Sequence, residues 1–199
     1  MPHAARRVLG GLSVMVALGA LNVLAPAVRA AHAGVINLNP CNGAALSQPF
    51  APWADPAWYE LAPGGDFESS TWTLVGGAQL IGGSEPFAAT GAQGSWSLSL
   101  PAGSSAQSPV TCVDAAYPTI RFFIAGRGLV AVTVVDGDLN IPAGIAVASG
   151  DWRPTSVMLT GSALTGAASD GTAQVSLRVI AVIGDPHIDD VFIDPWNRG

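Results

Sequence analysis

The segment Gly184-Asp185-Pro186-His187-Ile188-Asp189-Asp190 sets a histidine among three aspartates. An imidazole oriented by a carboxylate is the general base of a serine hydrolase, so this is the first place to look for catalysis. A triad also needs a nucleophile on a constrained turn. Nothing resembles Gly-x-Ser-x-Gly, and the serines sit in alternating or glycine-rich stretches. A histidine in the turn before the final strand is the simpler reading of His187, and a hydrolase the weaker one. Glycoside hydrolysis needs two carboxylates roughly 5 to 10 Å apart in a cleft. The acids here, Asp136 and Asp138 among them, fall mostly in turns, and no phosphate-cradling glycine motif occurs. No residue is therefore assigned a catalytic role.

Aromatic rings are the other chemistry on offer, since a ring can stack on the face of a sugar. Trp72 and Trp96 lie in phase with apolar neighbours and read as core, and Trp152 opens a strand after a turn. Trp53, Trp58 and Tyr59 sit instead in a stretch punctuated by Pro40, Pro49, Pro52, Pro56 and Pro63, and Trp196 lies in the tail. These four are the candidate ligand-binding residues. Packing of the proline-rich stretch against the rest of the fold competes with that reading.

Cys41 and Cys112 are the only two cysteines. In an oxidising compartment an isolated pair most simply forms a disulfide, which the chain-entropy model values at about 4 kcal/mol for a loop this long. A zinc site would need more ligands than the single histidine, His187, that follows residue 33 can supply.

The compartment follows from the N-terminus. Arg6 and Arg7 precede an uncharged apolar stretch from residue 8 to 28, and Val28-Arg29-Ala30 and Ala31-His32-Ala33 fit the small-residue cleavage rule. Residues 1–33 read as a secretory signal peptide. A retained anchor is the alternative, because about 20 uncharged residues could span a bilayer, but Gly10, Gly11, Gly19 and Pro26 favour cleavage. The arginine pair also permits twin-arginine export. The protein is thus expected to be secreted, extracellular or associated with the cell envelope, with no stable membrane span once the leader is gone. All eight basic residues are arginines, set against 14 acids. Loss of Arg6, Arg7 and Arg29 leaves five arginines and moves the net charge from −6 to −9. So acidic a surface repels nucleic acid and anionic membranes, both of which are bound through clustered Lys and Arg.

With 49 % hydrophobic and 11 % charged residues and no lysine, the 199-residue chain is neither disordered nor a coiled coil. Its periodicity is two residues. Ser95 to Leu100 alternates strictly, and similar runs are Trp72–Ile81, Thr119–Ala125, Leu129–Val135, Ile141–Ala148, Ser156–Thr160, Ala173–Ile183 and Ile188–Ile193. Turn clusters separate them: Gly82-Gly83-Ser84, Asp136-Gly137-Asp138, Gly150-Asp151, Asp170-Gly171 and Gly184-Asp185-Pro186. The expected fold is all-β, an antiparallel β-sandwich, with 162–169 the only brief helix the pattern allows. Residues 34–64 are expected to run as an extended, proline- and aromatic-rich segment wrapping a sandwich domain of residues 65–199.

Gly65-Asp66-Phe67-Glu68, Trp72-Thr73-Leu74, Gly76-Gly77-Ala78 and the closing Ile188-Asp189-Asp190-Val191-Phe192-Ile193 resemble the galactose-binding-like jelly roll of many carbohydrate-binding modules. A second resemblance, over the whole chain after the leader, is to secreted bacterial proteins that carry no known activity. They share the Cys41 region, Gln48-Pro49-Phe50, the Leu98-x-Leu100-Pro101 strand end and Asp194-Pro195. The first resemblance implies carbohydrate, a polysaccharide or a cell-envelope glycan, as the ligand. It also implies a structural calcium joining the first and last strands, with the Asp66 carbonyl and the Glu68 and Asp189 side chains as ligands. A carboxylate at the rim of the core face, where strand alternation places Asp189, needs either such a cation or hydrogen bonds. Backbone amides or an arginine could serve these acids equally well. The expected function is a secreted, non-catalytic binding module for carbohydrate or cell envelope; the alternative is a cell-surface protein-interaction domain with no glycan ligand.

Overall fold

The computed structural model describes residues 45–69, 71–114, 119–159 and 172–194. The leader, Cys41, Trp196 and the expected helix at 162–169 lie outside them. Eleven strands form along the described chain: Leu46–Ser47 (β1), Tyr59–Leu61 (β2), Thr73–Val75 (β3), Gln79–Gly82 (β4), Trp96–Ser99 (β5), Ser105–Gln107 (β6), Thr111–Asp114 (β7), Thr119–Asp136 (β8), Leu139–Pro154 (β9), Met158–Leu159 (β10) and Thr172–Asp194 (β11). One turn of 3-10 helix, Ala51–Trp53, follows β1. Every strand pairing is antiparallel, as the period-two pattern predicts.

The long strand β11 organises the sheet. One of its edges pairs with β8 from Ser176↔Val135 to Asp194↔Thr119. Its other edge receives β7, β6, β5 and β2 in turn. Strands β9 and β10 lie outside β8, while β3, β4 and β1 lie outside β6, β5 and β2.

The turn clusters at Gly150-Asp151 and Gly184-Asp185-Pro186 do not end strands, contrary to the sequence expectation. They bend them. Gly126 of β8 pairs with Gly150 of β9 and with Pro186 of β11, and Gly128 pairs with Gly184. Strands that bend at the same register can stay paired through the bend. At Gly184 the backbone is left-handed, with φ of +80°, and a Cβ there would overlap the Arg127 carbonyl. A Cβ at Gly128 would likewise overlap the Ile183 carbonyl. Glycine is required where two backbones approach this closely.

Residues from both arms of the bend then enter one core. Ile120, Phe122 and Ile124 join Val130, Val132 and Val134 of β8 in a single buried cluster with Leu98, Leu100, Phe67 and Trp72. In β11 the inward set is Ala173, Val175, Leu177, Val179 and Ala181, then Ile188, then Val191 and Ile193. Odd positions give way to an even one and then to odd again because bulges fall between Ala181 and Ile183 and between Asp189 and Phe192. Each bulge inserts one residue and so switches the face. The strict alternation expected of the last strand, with Asp189, Val191 and Ile193 opposite Ile188, is broken there.

The opposite face of the same strands is also apolar. Phe123 and Phe192 meet Phe50 and Tyr59 in a second buried cluster, with Trp53, Ala57, Leu61, Ala89 and Trp152 around it. The proline-rich stretch supplies this cover. Trp72 is core, as expected, but Trp96 is 45 % exposed. It shares the inward face of Leu98 yet stands at the start of β5, opposite Gly82 at the end of β4, where no core lies beneath it.

The bend gives a direct test. Gly184→Ala is expected to cost on the order of 3 kcal/mol, from the left-handed backbone and the overlap together. Gly137→Ala, at φ of +57° with no atom within 4 Å of the added Cβ, should cost only about 1 kcal/mol. Denaturant unfolding of the two variants reads the difference, and equal losses would contradict the assigned role of Gly184.

Candidate functional site

Phe50 is the base of an aromatic surface. Its ring is fully buried, stacked on Phe123 at 5.3 Å and meeting Tyr59 and Phe192 edge-on at 5.1 and 5.5 Å. Pro52 is the second residue of the short 3-10 turn Ala51–Trp53, and Ala54, left-handed at φ of +60°, ends it with an N–H bond to the Ala51 carbonyl. This turn lays Trp53 across the cluster. Trp53 meets Phe87 edge-on at 4.9 Å and Phe123 at 5.4 Å. Phe87 is 41 % exposed and Trp53 half-buried, so the pair opens to solvent over a fixed aromatic floor. Trp152 is half-buried against the same cluster.

An ion pair holds the segment down. Arg121 of β8 reaches Asp55 Oδ2 at 2.5 Å and stacks its guanidinium 4.2 Å above the Phe50 ring. Its Nε and Nη2 donate to the Thr155 carbonyl at 2.9 and 2.7 Å. Tyr59 Oη donates to Asp55 Oδ2 at 2.8 Å, and the Ala57 N–H to Oδ1 at 3.2 Å. Burial alone would push the Asp55 carboxyl up, but the hydrogen bonds from Tyr59, Arg121 and Ala57 outweigh it and hold it below the ordinary carboxylate range. Burial and the neighbouring Asp55 carboxylate raise the Tyr59 phenol above its usual range.

Acids position the loop that carries Phe87. Its start is tied to β11, where Asp189 Oδ2 accepts the Glu85 N–H at 2.9 Å. Its end is tied by Glu68, whose Oε1 accepts the Ser95 and Trp96 N–H groups at 2.6 and 2.9 Å. Inside the loop the buried Glu85 carboxylate accepts the N–H groups of Phe87 and of Ala89. Asp66 Oδ1 accepts the Glu68 N–H at 3.3 Å, and Asp189 Oδ1 that of Asp190 at 2.8 Å. Asp190 is left-handed at φ of +48°, in the second bulge of β11. Burial first, then repulsion from Asp189 and Glu85, pushes its carboxyl up.

Asp66, Glu68 and Asp189 offer the hard oxygen donors that calcium takes. Glu68 and Asp189 hold the two ends of one loop, and their oxygens already accept backbone N–H bonds. Among the described residues no three His, Cys, Asp or Glu side chains converge as a metal-binding group. A cation there would have to share oxygens with those amides and draw on carbonyls such as that of Asp66.

The four aromatic candidates are placed differently by the structure. Trp53 lies in the open aromatic pair, and Trp58 is 55 % exposed. Tyr59 is not available to a ligand: it is buried, with its hydroxyl spent on Asp55. The proline count suggested exposure for the whole stretch, but Tyr59 begins β2, which pairs with β11 and is buried at Tyr59 and Glu60, while Trp58 precedes the strand and stays exposed. Trp196 lies outside the described residues. Phe87 was missed. Its only signal was the Glu85-Pro86-Phe87 sequence between two turn clusters, and its partner Trp53 is more than thirty positions away. Cys112 is buried and is not a free thiol; Cys41 lies outside the described residues. His187 pairs across from Ser99, whose hydroxyl donates to Asp185 at 3.1 Å.

No protein-family model and no curated protein sequence matches the chain. Among solved structures it is similar to TmCBM61 in complex with β-1,4-galactotriose, at 16 % identity and a TM-score of 0.43 over 65 % of this chain and 94 % of that one. It is similar to the carbohydrate-binding module CBM6cm-2 from Cellvibrio mixtus lichenase 5A in complex with cellotriose, at 12 % identity and a TM-score of 0.44 over 67 % and 94 % of the two chains. A Stig cyclase, Fisc from Fischerella sp. TAU, is similar at 10 % identity and a TM-score of 0.46 over 68 % and 96 %.

The Arg121–Asp55 pair is testable by pH. A carboxyl held below its unfolded value adds stability that is present above that value and is lost as pH falls through the lowered folded value. Asp55→Asn is expected to lower stability at pH 7 by about 3 kcal/mol, because it leaves Arg121 buried without its counter-charge. It should also remove part of the stability that the unsubstituted protein loses below about pH 4. Parallel acid-unfolding curves for the two proteins would contradict this.

Proposed function

We propose that the chain is a secreted, non-catalytic binding module whose ligand is a carbohydrate, a polysaccharide or cell-envelope glycan. The observation that carries this reading is the Trp53–Phe87 pair. Two rings stay open to solvent over a buried aromatic floor, fixed by an ion pair on one side and by carboxylate-bound amides on the other. Preorganised rings suit the apolar faces of a pyranose, because little rotamer freedom is left to lose on binding. The exposed Trp58 is a second contact. A catalytic reading gains nothing from His187, since Ser99 is buried and its hydroxyl is bonded to Asp185. A Cys41–Cys112 disulfide and cleavage of residues 1–33 belong to the same proposal, and the Cys112 thiol being engaged agrees with it.

We also assign Asp66, Glu68 and Asp189 as the residues that would hold a structural calcium, its role being to neutralise the acids that anchor the Phe87 loop. EGTA is then expected to lower the Tm by several degrees, and Glu68→Ala to abolish that response. An unchanged midpoint with EGTA would count against calcium.

A second reading, a protein-interaction domain of the cell surface, draws on one observation. Ile145 and Val147 of β9 and Val182 and Ile183 of β11 are exposed on the two strands that flank β8, and exposed apolar surface marks contact sites. A glycan array separates the two. On the carbohydrate reading the protein binds glycans, and Trp53→Ala and Phe87→Ala each weaken binding about tenfold. Absence of glycan binding, together with recovery of a protein partner by crosslinking on cells, would overturn it.

A further inference from the structure

Strand β9 bends at Gly150, and a cavity of about 250 Å³ opens beside the bend. Its lining combines apolar residues, Ile124, Ile145 and Val147 among them, with Arg153, Thr155 and Ser156. Thr155 is held in place. The Thr155 N–H donates to the Phe122 carbonyl at 2.8 Å, Thr155 Oγ1 accepts the Phe122 N–H at 3.2 Å, and the Thr155 carbonyl takes both Arg121 bonds.

Arg121 is paired with Asp55, and Arg178 is held by Gln107 and Asn140. Arg127 and Arg153 make no ion pair among the described residues, and of the two Arg153 lines the cavity. An exposed arginine in the same lining as Ile124, Ile145 and Val147 suits a ligand with both a carboxylate and an apolar face.

We propose that this cavity binds a hexuronate residue of an acidic glycan, with the sugar carboxylate on Arg153 and the C–H face of the ring against Ile145 and Val147. The proposal rests on the carbohydrate reading and adds to it an acidic-sugar site whose lining includes neither Trp53 nor Phe87. The cavity has room for one pyranose and little more. The net negative charge of the chain does not forbid such a ligand, because charges farther than about 10 Å away are screened at 0.1 M salt. Arg153 is then the local field.

Isothermal titration of the full chain with trigalacturonate and with the neutral galactose trimer, at about 0.1 M salt, tests the proposal. Trigalacturonate is expected to bind about tenfold more tightly than the neutral trimer. That preference should vanish in Arg153→Gln, survive in part in Arg153→Lys and leave the Tm unchanged in both. Equal binding of the two trimers, or a preference that survives Arg153→Gln, overturns the proposal while leaving the carbohydrate reading standing. Binding of neither trimer overturns it too, and an empty glycan array would then remove the carbohydrate reading independently.

Discussion

Beyond the bend, β8 and β11 carry large apolar side chains on both faces. Ile120, Phe122 and Ile124 point to the main core while Phe123 and Phe192 point the other way. An antiparallel sheet can solvate one face, but not one bearing phenylalanines, each of which gains about 2 kcal/mol when buried. That constraint demands a cover, and the proline-rich stretch supplies it with Phe50 and Tyr59. The stretch joins the ladder only at its ends, through β1 and β2; between them the proline-punctuated turn that carries Phe50 and Trp53 lies on the sheet, and its backbone bonds are made within the turn. That part of the cover needs a lock. Arg121, Asp55, Tyr59 and Thr155 provide that lock, and Trp53 comes to rest on the surface as its consequence.

The loop from Gly83 to Ser95 completes the arrangement from the opposite side. Its course is set by carboxylates and amide groups more than by side-chain burial: Asp189 at one end, Glu68 at the other and Glu85 within. Each of these acids accepts backbone N–H bonds that would otherwise go unpaired. The price is carboxyls taken out of water with other acids close by: burial first, then the neighbouring acids, raises Asp189 and Asp190. Phe87 meets Trp53 because this loop is held at both ends. The calcium proposed at Asp66, Glu68 and Asp189 would offset part of the charge on these acids.

Much of the fold was legible in the chain. Period-two runs identified the strands, and Pro49 to Pro63 marked a stretch unlike the rest. What misled was punctuation. Gly184-Asp185-Pro186 and Gly150-Asp151 have the composition of turns, and only the partner glycines across the ladder, Gly126 and Gly128, turn them into a bend. No single strand contains that information. Bulges are equally silent, which is why the last strand's alternation failed at Asp189. Of the proposed binding surface, Trp53 and Trp58 were visible, but Tyr59 lost its place to a buried hydrogen bond and Phe87 gained one through a tertiary contact.

In the proposed function Trp53 and Phe87 form the binding surface while the rings beneath them only support it. The most direct measurement follows tryptophan indole N–H and phenylalanine ring signals by NMR during titration with an oligosaccharide drawn from the glycan array. The account predicts large shifts at Trp53 and Phe87 and none at Trp72, which is buried in the main core with its Nε1–H on the Pro63 carbonyl at 3.0 Å. Shifts confined to residues elsewhere, with Trp53 and Phe87 unmoved at saturation, would contradict it.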